Sequence, residues 1–259
     1  MRVIGAVNWV GLYTLTAREI GRFMKVKGQT ISAPVISALL YYLVFSVAIG
    51  DHASGVPGVS FLQFLAPGLI IMSVAQNAFA NTSSSLVIAK VQGNIVDVLM
   101  APLSAGEFTV AYMAGGVARG LVVGAASAVT LLLLIPMPVQ HPFHALFHAV
   151  SGSMMLALLG LIGGIWADRF DRLAAAQNFI ILPLTFLSGT FFSVHQLPPE
   201  WQFLCHANPI FYMIDGFRYG FAGIADADIH LGAAVVTLTN LALLTIAYVM
   251  LRTGYKLKS

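Results

Sequence analysis

Long apolar segments separated by shorter polar ones form the main pattern along this chain. Six of them are long enough to cross a hydrocarbon layer about 30 Å thick, which takes roughly 20 residues of helix. The pattern predicts an all-α integral membrane protein with six transmembrane helices in a single domain, residues 1–259. The predicted spans are 31–50, 61–80, 108–135, 144–166, 173–194 and 231–251.

Residues 1–28 show a different pattern, in which apolar and basic side chains recur at helical spacing. Trp9 and Tyr13 fall on one face of a helix, whereas Arg18 and Arg22 fall on another. This is typical of an amphipathic helix that lies in the membrane interface with its basic face toward anionic headgroups. The first turns of a spanning helix are the alternative. Because basic residues follow the apolar stretch, we expect no cleaved signal peptide.

Two of the polar connections are longer than simple turns. Residues 83–105, between the second and third spans, carry apolar positions at helical spacing with polar residues between them. This predicts a short amphipathic helix that docks on a partner, although a solvated helix or one lying on the inner leaflet has the same pattern. Residues 195–230, between the fifth and sixth spans, combine Pro, Gly and many aromatic residues, which predicts a broken, partly re-entrant helical segment on the outer side of the membrane. Asp215 and Arg218 in it are spaced for an i, i+3 pair.

Composition and charge support the membrane assignment and predict an orientation. Hydrophobic residues make up 58% of the chain and charged residues only 9%, whereas about 25% of residues are charged in soluble proteins. With both termini cytoplasmic, eleven Lys and Arg residues fall on the inner side and only Arg218 on the outer side. Because basic loops stay in the cytoplasm, we predict this N-in, C-in topology.

The third predicted span contains a charge and a run of glycines. Arg119 either snorkels toward the inner headgroups or contributes to a substrate pathway or a helix contact. Gly116, Gly120 and Gly124 are four residues apart on one helical face, a spacing that permits close helix contact. Packing within one subunit and dimerisation both explain this spacing.

Few other residues suggest a special site. All seven histidines fall on or near the predicted outer side, and His141, His144 and His148 are spaced so that one helix could bring them together for a metal ion or a pH response. Because no Cys or carboxylate stands close to them, we favour ordinary interfacial histidines and predict no metal site. Cys205 is the single cysteine and cannot form an internal disulfide.

Catalytic motifs are absent from the sequence. It contains no phosphate loop ending in Gly-Lys-Ser/Thr, no His-Glu-x-x-His helix and no Gly-x-Ser-x-Gly elbow. We therefore expect neither an enzyme nor a directly bound cofactor, and nothing indicates a nucleic-acid partner. Ion-coupled carriers usually bury acidic residues at the bilayer midplane, and the predicted spans contain almost none. We therefore expect the energy for transport to come from outside this chain.

Two motifs resemble the ABC-2 type permeases of ABC exporters. One is "FLSGTFFSVHQLPPEW" followed by "NPIFYMIDGFRYGFAGI", and the other is "KVQGNIVDVLMAPLS" in the loop 83–105. The order of the parts matches as well, so the resemblance covers essentially the whole chain. In the first motif, the matching positions are Gly189, Pro198, Trp201, Asn208, Pro209, Asp215 and Arg218.

This resemblance implies a permease subunit in the cytoplasmic (inner) membrane, surrounded by membrane lipids. It implies pairing with a second permease, here a copy of itself, and with two copies of an ABC ATPase subunit that bind ATP and Mg. The loop 83–105 would then contain the coupling helix, and residues 1–28 would complete the contact. Commoner family versions have a Glu-Arg pair before the Gly that corresponds to Gly93. This chain lacks that pair, and Lys90 supplies the only cation there. The implied coupling residues are Lys90, Gln92, Gly93, Asn94 and Asp97.

The substrate stays open at this level. Members of the family export polysaccharides, lipid-linked glycans, lipo-oligosaccharides, drugs or ions, and a glycan, a lipid-linked oligosaccharide or a drug-like amphiphile would suit this chain. Two further hypotheses do not need ATP: a secondary carrier or channel, and a purely structural partner protein.

Overall fold

The computed structural model describes residues 7–48 and 58–257, and over these ranges the chain forms helices and turns without a β-strand. Residues 1–6 of the predicted interfacial helix, residues 49–50 of the first predicted span and His52 lie outside the described residues. A π-helical turn, Gln177–Ile181, joins α7 to α8, and a 3₁₀ turn, Val194–Gln196, precedes α9. The α-helices are α1 (Trp9–Met24), α2 (Lys27–Ala48), α3 (Phe61–Val91), α4 (Ile95–Leu99), α5 (Ala105–Leu134), α6 (Pro142–Trp166), α7 (Phe170–Ala176), α8 (Leu182–Phe186), α9 (Pro199–His206), α10 (Pro209–Ala222) and α11 (Ile229–Thr253).

Five of the described helices, α2, α3, α5, α6 and α11, are long and apolar enough to cross a membrane. Capping residues fix where they begin. Ser60 with Gln63, and Ser104 with Glu107, form reciprocal capping boxes at the starts of α3 and α5, and the Asp228 carboxylate accepts from the Leu231 amide at the start of α11. The prediction of an all-helical, multi-pass membrane protein is confirmed.

The fifth predicted span, 173–194, does not form one helix. Helical backbone runs from Phe170 to Phe186 and includes the π-helical turn, where the Leu182 amide donates to the Gln177 carbonyl just before Pro183. Proline cannot donate to the preceding turn, and such strain is commonly absorbed by a π-bulge. Beyond Phe186 the chain turns at Gly189, whose φ is +71°. The predicted end at Val194 is therefore wrong.

The helix that contains the second predicted span, 61–80, is longer than that span. Helix α3 continues to Val91, so residues 83–91, predicted to lie in the loop, are part of it. The polar side chains that suggested a loop, such as Asn81 and Ser85, are buried against neighbouring helices and find partners there. A single amphipathic helix across the loop is also wrong, because Gln92–Asn94 separate α3 from α4.

Helix α3 lies at the centre of the bundle, packed most extensively against α6 and α5. Close approach depends on glycines of those two helices. A Cβ added to Gly116 would lie 2.7 Å from Ala157 Cβ and 2.8 Å from Thr82 Cγ2, and one added to Gly120 would lie 2.9 Å from the Val74 carbonyl. The glycine run therefore packs inside the subunit, which decides between the two explanations of its spacing.

Contacts define two ends of the bundle. At the basic end, the Lys90 ammonium donates to carbonyls at the C-terminal end of α6, and Lys256 lies 3.9 Å from the Asp168 carboxylate. At the opposite end, the Gln140 amide side chain donates to the Ala222 carbonyl, and the His141 amide donates to Gly220. The N-terminal helix α1 belongs to the basic half, because the Asn8 amide donates to Glu107 at the start of α5.

Helix α1 forms as predicted, but a different face packs against the bundle. Leu15, Glu19 and Phe23 are buried, whereas Trp9 and Tyr13 are largely exposed. Arg22, predicted on the headgroup-facing side, bends inward and donates to Asn81 and Ser84. One helix face therefore holds both packing and charge.

Candidate functional site

The turn between α3 and α4, residues 92–94, is an exposed feature of the basic end. Helix α3 ends at Val91, and the Gly93 amide donates to the Lys90 carbonyl at 3.0 Å. Gly93 has a φ of +74°, the left-handed region that glycine adopts at little cost. A Cβ placed there would meet nothing within 4 Å, so backbone conformation rather than space explains this glycine.

Helix α4 anchors the turn to the bundle through two side chains. Ile95 and Val98 are buried in an apolar cluster with residues of α1, α3 and the C-terminal turn. Gln92, Gly93 and Asp97 are exposed, and Asn94 is half-buried with its side chain donating to Gln92 Oε1 at 3.3 Å. We call the exposed surface the α4 patch: Val91, Gln92, Gly93, Val96, Asp97, Leu99 and Met100. It mixes apolar and polar groups, as protein interfaces do.

Lys90 does not belong to the α4 patch. Its ammonium group turns inward and donates to the carbonyls of Ile165 and, at 3.2 Å, of Ala167. Both carbonyls are at the C-terminal end of α6, where a cation is favourable for the helix dipole. The expectation that Lys90 is the docking cation is therefore not supported by its position.

A buried polar cluster attaches α1 to α3 next to the patch. Glu19 is fully buried, accepts from the Ser85 hydroxyl at 2.9 Å, and lies 3.6 Å from Arg22 Nε. Burial raises the pKa of the Glu19 carboxyl, while Arg22 and Ser85 act in the opposite direction. The sequence reasoning did not single out Glu19, although an isolated acid in a basic helix was a usable signal.

At the opposite end, Asp215 and Arg218 of α10 form the predicted i, i+3 pair, with Nη1 and Oδ1 3.9 Å apart and both residues buried. Arg218 also donates to the Phe64 and Gly189 carbonyls and lies over the Phe64 ring, 3.7 Å from its centroid. The Asp215 carboxylate accepts from the amides of Asp226 and Ala227. These bonds join α10 to α3, to the turn at Gly189 before α10, and to the turn at Asp226 and Ala227 after α10.

The residue types of Asn208 and Pro209 explain why α10 begins where it does. The Asn208 carbonyl oxygen Oδ1 caps the helix by accepting from the Ile210 amide, and Pro209 takes the first helical position. The Asn208 side-chain amide donates to Ser188 Oγ at 2.7 Å. Pro198 precedes α9, and Trp201 on that helix is half exposed. The broken helical segment is present, and its relation to a membrane stays a prediction.

The positions predicted from the two motifs thus separate into two groups. Gln92, Gly93 and Asp97 come together on the α4 patch, whereas Gly189, Asn208, Asp215 and Arg218 come together at the opposite end. Arg119 belongs to neither group, and its Nη2 donates to Asn77 Oδ1 at 3.2 Å, halfway along α5. Gly124 packs against Val74 of α3.

The histidines contact one another without forming a metal centre. The His141 ring stacks on Tyr219 with centroids 4.5 Å apart, and the His144 and His148 centroids are 6.3 Å apart. Within residues 7–48 and 58–257, no group of three or more His, Cys, Asp or Glu side chains could hold a metal ion.

Comparison with known proteins identifies the family. The sequence family described as ABC-2 type transporter matches residues 10–222. The chain belongs to this family. The ABC-2 chain is 40% identical over 251 residues to the inner membrane transport permease YadH of Escherichia coli K12, over 97% of this chain and 98% of that protein. It is 26% identical over 245 residues to nodulation protein J of Rhizobium leguminosarum bv. viciae, over 90% of each chain.

Several sequence-based predictions are confirmed by this membership. As an ABC-2 permease, the chain is a transport subunit of the inner membrane without an ATPase domain. ATP binds a separate ABC ATPase subunit, with which the permease partners. The predicted family, the absence of enzymatic activity in this chain and the multi-pass membrane location follow.

Proposed function

We propose that this chain is the permease half of an ATP-driven exporter, that it works as a homodimer with two ATPase subunits, and that it moves its substrate outward. A glycan, a lipid-linked oligosaccharide and a drug-like amphiphile are the substrate classes in question. In this proposal both termini and the basic end face the cytoplasm, where ATP is available. The single observation that carries the proposal is the α4 patch, an exposed surface fixed to the central helix.

The α4 patch suits docking because its outer and inner faces differ. Exposed Val96 and Met100 offer apolar contact, and exposed Asp97 offers a charge that can select a complementary partner. Buried Ile95 and Val98 connect the same short helix to the bundle. A force applied to the patch therefore reaches α3 directly, since only the turn at Gln92–Asn94 intervenes.

The other predicted parts keep their roles in this proposal. Helix α1, the described helix of the segment 1–28, is the interfacial helix beside the docking site, and 83–105 connect the second and third spans through α4. The segment 170–186 with the broken helices α9 and α10 forms the fifth crossing and the external re-entrant hairpin of 195–230. Six crossings result when 170–186, about 25 Å long as a helix, is added to the five long helices.

A charge reversal on the patch tests the docking role. Asp97→Lys should lower the amount of ATPase that co-purifies, and the ATP hydrolysis of the complex in nanodiscs, by about tenfold or more, because a like or unpaired charge at an interface is costly. Asp171→Lys is the matched control, since Asp171 is also an exposed acid at the basic end. Membrane yield and elution volume of both variants should equal those of the unchanged protein.

Two results would contradict the proposal. Normal ATPase recovery and hydrolysis in Asp97→Lys would remove the docking role of the α4 patch. Purification of this chain alone under conditions that preserve ABC complexes, together with ion-gradient-driven flux in vesicles that contain only this chain, would favour the ATP-independent carrier or channel.

A further inference from the structure

One face of α3 carries a buried polar stripe. Ser73, Asn77, Asn81 and Ser85 follow one another at intervals of four residues, and each is less than one-tenth exposed. That interval keeps side chains on one face of a helix. The stripe runs from the middle of α3 toward the basic end.

The half of the stripe nearer the basic end, Asn81 and Ser85, contacts one acidic and one basic side chain whose charges balance. Asn81 accepts from Arg22, and Ser85 donates to Glu19. Arg22 and Glu19 are 3.6 Å apart, so the charge of one offsets that of the other. This part of the stripe is explained by the attachment of α1 to the bundle.

The half of the stripe farther from the basic end, Ser73 and Asn77, contacts a cation whose charge is not balanced. Arg119 Nη2 donates to Asn77 Oδ1, and Arg119 Nε is buried without a hydrogen-bond partner. Over the described ranges, no carboxylate lies within 4.0 Å of an Arg119 nitrogen. Arg119 is halfway along α5, roughly 21 Å from the first residue of this helix.

A cation at this depth is costly unless an anion accompanies it. Charged groups within membrane spans are rare and almost always face a partner, a cavity or a pathway. The Asn77 amide stabilises the guanidinium but carries no charge. Within the described residues, the counter-charge of Arg119 is therefore missing.

A groove on the other side of Asn77 offers the place for that counter-charge. It lies between α2 and α3 and has a volume of about 250 Å³. Ser37, Tyr41 and Gln76 contribute polar groups to its wall, and their side chains hydrogen-bond to no other described residue. Pro34, Ala38, Leu69 and Met72 make the rest of the wall apolar.

We propose that the groove between α2 and α3 binds the anionic headgroup, a phosphate or carboxylate, of an amphiphilic substrate, with Arg119 behind Asn77 supplying the positive charge. The inference rests on the proposed export function and narrows its substrate class. Hydroxyl and amide groups of the wall donate to the anion, and the apolar wall contacts the first methylenes of the chain attached to it. Among the substrate classes above, it favours acidic lipid-linked ones.

A titration of the purified permease–ATPase complex in detergent, followed by native mass spectrometry, tests this inference. The probes are lauroyl lysophosphatidate, monolauroylglycerol, which lacks only the phosphate, and inorganic phosphate, which lacks the chain. We expect lysophosphatidate to bind most tightly, and Arg119→Gln to weaken it by about tenfold or more, because hydrogen bonds to ionised groups are the stronger kind. Binding of monolauroylglycerol should not change.

Three further variants separate the role of Arg119 from a general effect on folding. Arg119→Lys keeps the charge and should retain most of the binding, whereas Ser37→Trp fills the groove without touching Arg119 and should abolish it. Arg252→Gln removes an exposed cation at the basic end and should leave binding unchanged. The thermal midpoint and the amount of co-purified ATPase are measured for each variant. A loss of folding or of ATPase docking is thereby distinguished from a loss of ligand binding.

Three outcomes would overturn the inference and leave the docking proposal intact. Equal lysophosphatidate binding by Arg119→Gln and the unchanged complex would show that Arg119 does not hold the anion. Unchanged binding by Ser37→Trp would place the ligand elsewhere. Equal Arg119-dependent binding of inorganic phosphate and lysophosphatidate would show a site for a soluble anion and remove the amphiphile.

Discussion

Two Arg–Asp pairs lie at opposite ends of the bundle, and the longer one is the more consequential. At the basic end, Arg172 and Asp168 are 2.6 Å apart with about half of each side chain exposed, whereas Arg218 and Asp215 are 3.9 Å apart and almost fully buried. Water already solvates the first pair, so its short contact adds little. The second pair has only protein around it, and each partner depends on the other. Burial, rather than distance, decides what a charge contributes here.

The largest expected effect comes from breaking the buried pair. Arg218→Ala leaves the Asp215 carboxylate buried without its cation and removes the bonds to Phe64 and Gly189, so we expect a loss of about 3–5 kcal/mol. Membrane yield and the thermal midpoint in detergent should fall sharply. Arg172→Ala is the matched control and should change stability by at most about 1 kcal/mol. Similar losses in both variants would make burial irrelevant to the difference.

A smaller effect is expected at the exposed turn of the basic end. Gly93 and Gly21 both have nothing within 4 Å of an added Cβ, but only Gly93 has a positive φ. Gly93→Ala should therefore destabilise the protein by about 1–2 kcal/mol, whereas Gly21→Ala, inside α1, should stabilise it by about 0.5–1 kcal/mol. Thermal unfolding of the two variants checks the opposite signs. Shifts of the same sign would show that the left-handed turn is not maintained in the protein.

The smallest effect concerns the buried acid of α1. The pKa of Glu19 is raised above its ordinary value of 4.5, so the folded protein binds this proton more tightly than the unfolded chain does. That contribution to stability is complete below pH 4.5 and is lost as the pH rises through the raised pKa. Glu19→Gln should flatten this decline of the thermal midpoint on going from pH 4.5 to neutral pH. A decline as steep in Glu19→Gln as in the unchanged protein would assign it to another group.

The sequence made the long helices and several of their ends predictable, because apolar runs and capping residues act locally. The spacing of Asp215 and Arg218 led correctly to an i, i+3 pair on one helix. The extent of α3 was not predictable, since Asn81 and Ser85 look like loop residues until Arg22 and Glu19 from a distant part of the chain meet them.

The candidate site was predictable in its location more than in its individual roles. The motif around Gly93 marked the turn that became the α4 patch. Nothing in the motif showed that Lys90 bonds to carbonyls at the end of α6, because that contact joins residues more than seventy positions apart. The groove beside Asn77 depends in the same way on how α2 lies against α3.

The unbroken length of α3 links events at the two ends of the molecule mechanically. A helix of 31 residues is about 46 Å long, and it carries the Gln92–Asn94 turn at one end and the Phe64 carbonyl bound by Arg218 near the other. A tilt of only about 5° around one end would displace the other by about 4 Å, farther than a hydrogen bond can stretch. When α3 tilts as a lever, Arg218 must therefore either move together with α3 or lose its hydrogen bond to the Phe64 carbonyl.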